Sequence, residues 1–474
     1  MTALTETGHR VRLMQHDIVV VGAGVSGLVT ADRLTTQGYD VVVLEARDRV
    51  GGRTHTVPVP DHPEYRIDVG GQWVGPDQRA LLAELDRFGL TTHDQDDGRD
   101  ALVSLRGSLR RYRGDTPKIG AVALADVGQA LWRFDRLCAR VDLDAPWATP
   151  DAVRLDAQTF ETWIRRNLRT SQGRDFFRIG CEAVFATTSA NLSLLHALFY
   201  SRSGTSFSHL LTTGGGAQHA VVDGGMAQLA EHLAAGLGDR VRLSSPVTAV
   251  EHGPGGVVVR TGADVLRARR MVVTVPPALV AGIAFAPPLP PVRDAVQRRM
   301  PHGSVIKCHA VYPTPFWRED GLSGEAAGDT GPVKVVFDAT PPARSGAGPD
   351  DAPPPGILVA FIEGADALEA AAWTPEQRKN AVVRVLAGYV GDRALSPTSF
   401  NEQDWTAEEW TRGCYGAHLP PGAWTQVGRA LREPVGVVHW AGTETATRWC
   451  GYVDGAISSG ERAAREVAAL LPVA

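Results

Sequence analysis

The chain has 474 residues, of which 43% are hydrophobic and 21% charged, and its formal net charge is −5 at pH 7. This length suits two lobes with a shared core, and the slightly acidic balance excludes a basic surface for nucleic acid. Residues 1–16 are polar and 271–291 are interrupted by prolines, so we expect no secretory signal, no membrane span and a cytoplasmic protein.

The N-terminal region has the pattern of a βαβ unit. Ile18–Val21 is a continuous apolar run, as a buried parallel strand requires. Apolar residues at helical spacing predict a helix over Ser26–Gln37, and Gly38 stands where a C-cap glycine belongs. Val41–Leu44 is predicted as the second strand, so a parallel α/β fold begins here.

The elements beyond this unit indicate a second domain. Residues 90–215 are predicted to be largely helical. Val305–Tyr312 begins a later alternating region, Pro341–Gly356 is predicted as a mobile loop or insertion, and Gly455–Leu470 as the last long helix. Further strands are predicted at Val241–Glu251, Gly256–Arg260, Met271–Val275 and Val437–Ala441.

This order of elements predicts an α/β fold of two discontinuous domains. A Rossmann-like nucleotide-binding domain is expected from segments 15–86, 220–298 and 405–470. An α+β substrate-binding domain is expected from segments 87–219, which is mostly helical, and 299–404.

A GxGxxG motif stands in the context that dinucleotide binding requires. Gly22, Gly24 and Gly27 follow one predicted strand and open one predicted helix, with Ser26 inside the motif. The glycines allow a tight turn and the close approach of a pyrophosphate to backbone N–H groups. Glu45 ends the second strand, where a carboxylate can accept hydrogen bonds from ribose hydroxyls and argues against the 2′-phosphate of NADP.

Two following motifs favour FAD over NAD. The sequence RDRVGGR over 47–53 can bring Arg53 onto the pyrophosphate. The sequence DVGGQW over 68–73 offers glycines where a bulky isoalloxazine ring must lie against backbone. The cofactor-binding candidates in these motifs are Arg47, Gly52, Arg53, Gly71, Gln72 and Trp73.

Several longer motifs lie downstream. They are VDGGM over 222–226, PHGSVIKC over 301–308, GCY over 413–415, WAGTETAT over 440–447 and WCGY over 449–452. With the N-terminal motifs they resemble the flavin amine oxidase family, and within it the monoamine oxidases most closely. The resemblance extends from Asp17 to about Val467 and implies an FAD-dependent amine oxidase.

The resemblance implies further cofactor contacts. It implies that Val247 lies by the adenine and Trp405 against the flavin. Cys414 matches the cysteine that in monoamine oxidases bonds covalently to the 8α-methyl of the flavin, so a thioether is the expectation and a free buried thiol the alternative. The residues implied at the flavin end are Gly442, Thr443, Gly451, Tyr452 and Val453.

The predicted reacting centre combines two tyrosines and a lysine. Tyr415 and Tyr452 match the family's aromatic pair that flanks the amine, and two phenol faces also form an apolar slot for a neutral amine. Within Val305–Tyr312, the odd positions place Lys307 and His309 on the face opposite the apolar one. The resemblance implies that Lys307 holds a water near flavin N5, with a pKa lowered by burial; His309 is interpreted as ordinary.

The expected reaction is oxidation of a primary monoamine to an imine. Molecular oxygen then gives hydrogen peroxide, and hydrolysis of the imine gives an aldehyde and ammonia. Bulky alicyclic or arylalkyl monoamines are the favoured substrates. Gln218 and Phe199 are the further predicted substrate contacts, drawn from the resemblance and from the helical segment around Phe185 and Tyr200.

Other substrates and acceptors stay open. A diamine or polyamine oxidase of the putrescine type needs a carboxylate for the distal ammonium, for which Glu325 is the candidate and Lys334 would oppose it. An amino acid oxidase would need an arginine such as Arg202. A dehydrogenase with another electron acceptor and a homodimer are further alternatives. Animal monoamine oxidases continue into a membrane helix, which we do not expect here.

Overall fold

Two large sheets organise the computed structural model. The described residues are 13–95, 98–114, 116–262, 264–343 and 353–472. Most of the polar N-terminal stretch and residues 344–352 of the predicted loop lie outside them. Within the described ranges, no helix is both long and apolar enough to cross a lipid bilayer.

The secondary structure is mixed throughout. The strands in the described residues are β1 Leu13–Val21, β2 Val41–Leu44, β3 Thr56–Val59, β4 His62–Asp68, β5 Trp73–Val74, β6 Thr92–Asp94, β7 Asp100–Leu105, β8 Ser108–Tyr112, β9 Ala220–Val222, β10 Val241–Arg242, β11 Val247–Gly253, β12 Gly256–Thr261, β13 Val265–Val273, β14 Ala284–Ala286, β15 Val305–Tyr312, β16 Leu322–Gly328, β17 Val333–Asp338, β18 Gly356–Glu363, β19 Ser399–Asp404 and β20 Val438–Trp440. The α-helices are α1 Val25–Thr36, α2 Arg79–Arg87, α3 Ala121–Cys138, α4 Ala152–Asp156, α5 Phe160–Asn167, α6 Ser171–Phe185, α7 Leu194–Ser203, α8 Phe207–Leu211, α9 Ala227–Leu237, α10 Pro277–Val280, α11 Pro291–Arg299, α12 Gly364–Ala370, α13 Pro375–Val390, α14 Ala423–Val427 and α15 Val453–Leu470.

The first sheet has a Rossmann-like parallel centre. Its order is β10-β2-β1-β13-β12-β11-β14, with β20 also beside β13. β1 lies parallel to both β2 and β13, and Ile18, Val19 and Val20 are fully buried, which explains the continuous apolar run. α1 packs against α9 and α15 beside this sheet. The strands come from three separated parts of the chain, and the predicted α/β fold class is confirmed.

The second sheet holds the strands of the substrate side. Its order is β19-β15-β18-β17-β16-β7-β8. Apolar side chains of α12 and α13 cover one face of it, and α3 to α8 form a separate helical cluster rich in aromatic residues. The boundaries of the five-segment division stay a prediction.

Residues 92–112 correct the prediction that the chain is largely helical from residue 90. This stretch forms β6, β7 and β8, and β7 and β8 pair as an antiparallel hairpin. Arg106 and Gly107 have φ angles of 54° and 75°, as the two central residues of a type I′ turn require. Beyond the hairpin, the helical prediction is confirmed by α3 to α8.

The other predicted strands differ only in extent. Val241–Glu251 is interrupted, since β10 ends at Arg242 and β11 begins at Val247.

All eight residues of β15 are buried, because β15 lies between β18 and β19 and both of its faces are covered. The face that holds Lys307 and His309 is therefore interior, which alternation alone could not establish.

Candidate active site

A cavity of about 380 Å³ opens at the carboxyl ends of β1, β2 and β13. This is where parallel α/β sheets bind nucleotides, and the volume falls in the range of small-molecule sites, roughly 300–1,000 Å³. Its lining includes Glu45 and Val247, expected at the adenosine part of FAD, and Cys414 and Tyr452, expected at the flavin part. The cavity therefore joins the sequence motifs that lie farthest apart in the chain.

The glycine motif forms the floor of this cavity. Gly22 has a φ of +101°, a left-handed conformation that favours glycine. A Cβ atom on Gly27 would lie 2.0 Å from the carbonyl oxygen of Gly22, so the turn closes only without a side chain. Ser26 Oγ accepts a hydrogen bond from the backbone N–H of Gly442 at 3.0 Å. Ser26 thereby fixes the C-terminal motif against the first helix.

Backbone without side chains also faces the cavity at other points. A Cβ atom on Gly24 would meet nothing within 4 Å, and one on Gly71 would meet only Val453, at 4.0 Å. Gly52 has a φ of +59°. These positions leave open space where a cofactor can lie against the main chain, so the residues fit FAD. Gly451 and Thr443 line the same space, and Thr443 donates a hydrogen bond to the carbonyl of Tyr452 at 2.8 Å.

Glu45 and Arg47 lie at the ribose end. Glu45 is buried and accepts hydrogen bonds from the backbone N–H groups of Ala23, at 2.7 Å, and Arg47, at 3.0 Å. The guanidinium of Arg47 binds Glu408, with Nε 3.0 Å from Oε1. Glu45 and Arg47 both line the cavity, at the end where the motif spacing predicts the ribose.

Arg53 lines the cavity and pairs with a buried carboxylate. Its guanidinium forms a bidentate pair with Glu444, at 2.6 and 3.0 Å, and donates to the carbonyl of Tyr415 at 2.9 Å. Burial alone would raise the pKa of Glu444, but the charge of Arg53 lowers it to about 2. Arg53 therefore holds two motifs together near the flavin end while it lines the cavity, and its contact with the pyrophosphate stays a prediction.

Cys414 lies where the resemblance implies. It is 5% exposed and lines the cavity beside Tyr415, and the peptide bond between the two residues is cis. Burial raises the pKa of the Cys414 thiol to about 12, although the nearby charges of Arg53 and Lys307 favour the thiolate.

Lys307 is a buried amine next to the second glycine motif. It is 2% exposed, and Nζ donates to the carbonyl of Gly70 at 2.8 Å and to Oε1 of Gln72. Nζ also lies 5.8 Å from the ring centre of Trp73 and 5.4 Å from that of Phe361. Burial lowers the pKa of Lys307 to about 7, against the opposing effect of Asp68. The neutral amine is thus accessible near neutral pH.

Three predicted cofactor contacts lie behind the cavity wall. Gln72 binds Lys307, and Trp73 packs edge-on against Phe337 at 4.8 Å. Trp405 donates its indole N–H to the carbonyl of Val69 at 2.9 Å. These residues are not among those that line the 380 Å³ cavity, and their contacts with FAD stay a prediction. They support Lys307 and the backbone at the flavin end.

The two tyrosines line the same cavity. Tyr415 packs against Phe361, with ring centres 6.2 Å apart, and belongs to an apolar cluster that also contains Trp73 and Val335. Tyr452 packs edge-on against Trp449, at 5.0 Å. Burial raises the pKa of both phenols, which therefore stay neutral.

Phe199 is not at the site. It is fully buried and packs edge-on against Trp424, at 4.9 Å, in the helical cluster. The adjacent Tyr200 points towards the site instead, 6.1 Å from Tyr452. Gln218 donates to the carbonyl of Leu210 at 2.9 Å, so its amide is held against the C-terminal end of α8. Sequence alone did not determine which neighbour in α7 packs near Tyr452, and neither of the two lines the 380 Å³ cavity.

The candidate groups for alternative substrates have other partners. Thr213 donates to Glu325 at 3.0 Å, and Lys334 pairs with Asp366 at 2.6 Å. Arg202 donates to the main-chain carbonyl of Ala139 at 2.7 Å and to that of Val141. Glu325, Lys334 and Arg202 are therefore each bound to another group of the protein.

Two functional residues were missed by sequence reasoning. Glu444 forms the buried pair with Arg53, and Glu363 accepts the hydrogen bond of the Tyr415 hydroxyl at 2.5 Å. Glu444 lies inside the quoted motif over 440–447, which offered a signal. Glu363 ends an apolar run, ILVAFIE, and its acidic residue was the only unusual feature there.

Comparison with known proteins finds relatives that match over most of the chain. The sequence profile described as flavin containing amine oxidoreductase matches residues 25–468. The putative flavin-containing monoamine oxidase AofH of Mycobacterium tuberculosis is 41% identical over 458 residues, covering 96% of this chain and 97% of that protein.

Two solved structures are similar over almost the whole chain. A wild-type putrescine oxidase bound to putrescine has a TM-score of 0.91 and 35% identity. The cyclohexylamine oxidase of Brevibacterium oxydans IH-35A has a TM-score of 0.89 and 33% identity. In both comparisons 97% of this chain and 100% of the other are covered.

Proposed function

The chain belongs to the flavin containing amine oxidoreductases and uses FAD, and from this premise we propose that it oxidises a bulky primary monoamine with molecular oxygen as acceptor. The amine becomes an imine, which water hydrolyses to an aldehyde and ammonia, and oxygen becomes hydrogen peroxide. Bound FAD supplies the redox chemistry by accepting the two electrons and the α-hydrogen of the amine.

The observation that supports this proposal most is the position of the two tyrosines. Tyr415 and Tyr452 line the same cavity as Cys414 and the glycine motifs, at the end expected for the flavin. Neutral phenol rings orient an amine without requiring it to be charged. Only an amine that has lost its extra proton has a lone pair to support C–H cleavage. A slot of this kind can hold the amine after it has lost its extra proton.

Lys307 provides the polar side of the proposed centre. With a pKa of about 7, its neutral form can accept a proton from an arriving ammonium ion. Gly70 and Gln72 accept two of its hydrogen bonds and fix the amine group beside the second glycine motif. Packing by Trp73 and Phe361 excludes bulk water from this side of the centre.

The apolar surroundings favour a monoamine with a bulky substituent. Trp73, Val335 and Phe337 pack against the cluster that holds Tyr415, and such a wall suits an arylalkyl or alicyclic group rather than a second ammonium. The similarity to the cyclohexylamine oxidase agrees with an alicyclic substrate.

A diamine oxidase is the second candidate, because the putrescine oxidase is equally similar in structure. A distal ammonium would need a carboxylate, and Glu325 is hydrogen-bonded to Thr213. An amino acid substrate would need a free cation, whereas Arg202 is bound to main-chain carbonyls. The monoamine is therefore the better supported substrate.

Oxygen uptake with a substrate panel tests the proposal. The purified flavoprotein would be supplied with cyclohexylamine, 2-phenylethylamine, putrescine and an L-amino acid, and hydrogen peroxide and ammonia would be measured. We expect both products, in equal amounts, with the two monoamines. Peroxide formation with putrescine or the amino acid alone would contradict the monoamine assignment.

A further inference from the structure

A second, smaller cavity is lined by Gln72, the residue that accepts a hydrogen bond from Lys307. It has a volume of about 50 Å³ and lies where β4, β9 and β15 approach each other. Its polar lining consists of Arg66, Asp68, Gln72, His93, His309 and Asp338. A water molecule needs a cavity of roughly 10–15 Å³ and two to four polar partners. This cavity offers room and partners for several waters.

The cavity joins the protein surface to the buried amine. At its outer end, the side chains of Arg66 and His93 are 35% and 33% exposed. At its inner end, Gln72 and His309 are 4% and 0% exposed, and Gln72 accepts the hydrogen bond of Lys307. Polar groups therefore continue from partly exposed side chains to Gln72, which links this cavity to Lys307, and Gln72 and His309 do not line the 380 Å³ cavity.

His309 is a polar group of this cavity whose hydrogen bonds the protein does not account for. It lies two residues from Lys307 on the same face of β15 and is fully buried. Neither of its ring nitrogens has a hydrogen-bond partner of normal geometry within the described residues. An unpartnered buried imidazole costs free energy, so its presence in a polar cavity indicates that water completes its hydrogen bonds.

The proposed reaction needs a path for one proton. A primary amine is mostly an ammonium ion in neutral water, and Lys307 can remove its extra proton: R–CH2–NH3⁺ + Lys–NH2 → R–CH2–NH2 + Lys–NH3⁺. The lysine must then lose this proton before the next substrate. Loss of the α-hydrogen with two electrons from the neutral amine leaves the protonated imine R–CH=NH2⁺, which water hydrolyses to the aldehyde and an ammonium ion. Reduction of oxygen to hydrogen peroxide takes two electrons and two protons, of which one arrives as the α-hydrogen. The other proton has to come back from solvent.

We propose that the 50 Å³ cavity is a water-filled proton route between Lys307 and solvent, and that His309 is the relay within it. One nitrogen of a neutral imidazole accepts a proton while the other donates one, so the ring can pass protons without remaining charged. This inference rests on the proposed function and adds a role for His309, which pattern alone did not distinguish from a packing residue.

The charges around His309 suit a transient relay. Burial is the main cause that lowers the pKa of His309 well below its ordinary value, and Lys307 lowers it further. The main chain of Asp68 favours the charged form of the His309 ring, although it forms no hydrogen bond of normal geometry with either ring nitrogen. The neighbours of His309 on β18 and β19 are Val359 and Asn401, which are uncharged. The other ionisable groups that line the cavity are Arg66, Asp68, His93 and Asp338.

Proton release can be timed against flavin reduction. The wild-type holoenzyme would be mixed anaerobically with a monoamine at mildly alkaline pH in weak buffer, with a pH-indicator dye. We expect proton release together with flavin bleaching in the wild type. In His309→Leu we expect release to be slowed by about tenfold or more, and added imidazole to shorten the delay in His309→Gly. Synchronous release in His309→Leu would overturn the proposal.

His439→Leu is the matched control. His439 is equally buried on a strand, its ring nitrogens also lack hydrogen-bond partners of normal geometry in the described residues, and it lies in the first sheet, away from this cavity. We expect release to stay synchronous with bleaching in this variant. A delay as long as that in His309→Leu would show a general effect of removing a buried histidine, and would also overturn the proposal.

A plug in the opposite wall tests the route without changing His309. Ala339 lines the cavity, and Ala339→Leu would fill it. We expect a high-resolution crystal structure of the wild type to show waters bonded to His309, and Ala339→Leu to lack them and to delay proton release. A dry wild-type cavity would overturn the route even if amines bleach the flavin. If no amine bleaches the wild type, the proposed function fails, and with it the need for the route.

Discussion

The hydroxyl group of Tyr415 donates a hydrogen bond to Oε1 of Glu363, with the two oxygens 2.5 Å apart. Glu363 is fully buried, and its Oε2 has no hydrogen-bond partner within the described residues. Burial raises the pKa of Glu363 well above its ordinary value, which favours the neutral acid. The pair fixes the ring of Tyr415 at the cavity without placing a charge behind it.

Removal of this hydrogen bond should loosen the substrate slot. We expect Glu363→Leu to lower kcat/KM by about fivefold, the equivalent of one hydrogen bond of about 1 kcal/mol. Glu363→Gln should stay near wild type, because a neutral amide oxygen can still accept from Tyr415. Steady-state kinetics with separate kcat and KM values make the comparison. Equal kinetics in all three proteins would show that Glu363 does not position Tyr415.

Lys307 should impose a pH dependence on flavin reduction. Its pKa is lowered to about 7, so the ammonium form prevails below that pH and the neutral amine above it. The anaerobic reduction rate should therefore rise as pH increases through about 7. Lys307→Met should lack this inflection, whereas Lys379→Met, on α13, should keep it. An inflection that persists in Lys307→Met would assign it to another group or to the substrate.

Cys414 should hold FAD through a covalent bond. Its sulfur lines the cavity at the expected flavin end, and the resemblance to monoamine oxidases implies a thioether. After denaturation in acid, the wild-type polypeptide should stay yellow, and Cys414→Ala should release all of its flavin. Mass spectrometry of the intact polypeptide provides a second measurement. Complete flavin release from the wild type would leave Cys414 as a buried thiol.

The pair of Arg53 and Glu444 should make stability depend on acid. The pKa of Glu444 falls from an ordinary 4.5 to about 2 in the fold. For a lowered carboxyl pKa, the stabilisation is present above 4.5 and disappears as pH falls towards 2. Thermal unfolding between these pH values should show this loss in the wild type and a smaller one in Glu444→Gln.

Breaking the same pair from the other side should be costly. Arg53→Met leaves the carboxylate of Glu444 buried without its partner, which costs about 3–5 kcal/mol. The control is Arg260→Met, which removes the exposed pair of Arg260 and Glu251 and should cost less than about 1 kcal/mol. Similar unfolding free energies for the two variants would contradict the structural role of Arg53.

The sequence predicted the nucleotide-binding half of the molecule well because its constraints are local. The turn at Gly22 and Gly27 and the buried strand Ile18–Val21 depend on residues within a few positions of each other. The hairpin at Arg106 and Gly107 was equally local, and was missed because a two-residue turn was not recognised among helical patterns.

The remaining differences depend on contacts between distant residues. Arg53 and Glu444 are 391 positions apart, so nothing near Arg53 indicated that a carboxylate would bind it. Phe199 and Tyr200 are adjacent on a helix that is buried all round, and apolar periodicity cannot distinguish their directions. Burial of both faces of β15, which lowers the pKa of Lys307, likewise requires the packed fold.

Anaerobic reduction of the flavin tests most directly whether the protein oxidises a bulky primary monoamine. The purified yellow protein would be mixed without oxygen with monoamines, diamines and amino acids, and the flavin absorbance followed before air is admitted. We expect a bulky primary monoamine to bleach the flavin, and air to restore its absorbance with formation of hydrogen peroxide. A protein that binds flavin and is bleached by no amine would contradict the slot between Tyr415 and Tyr452.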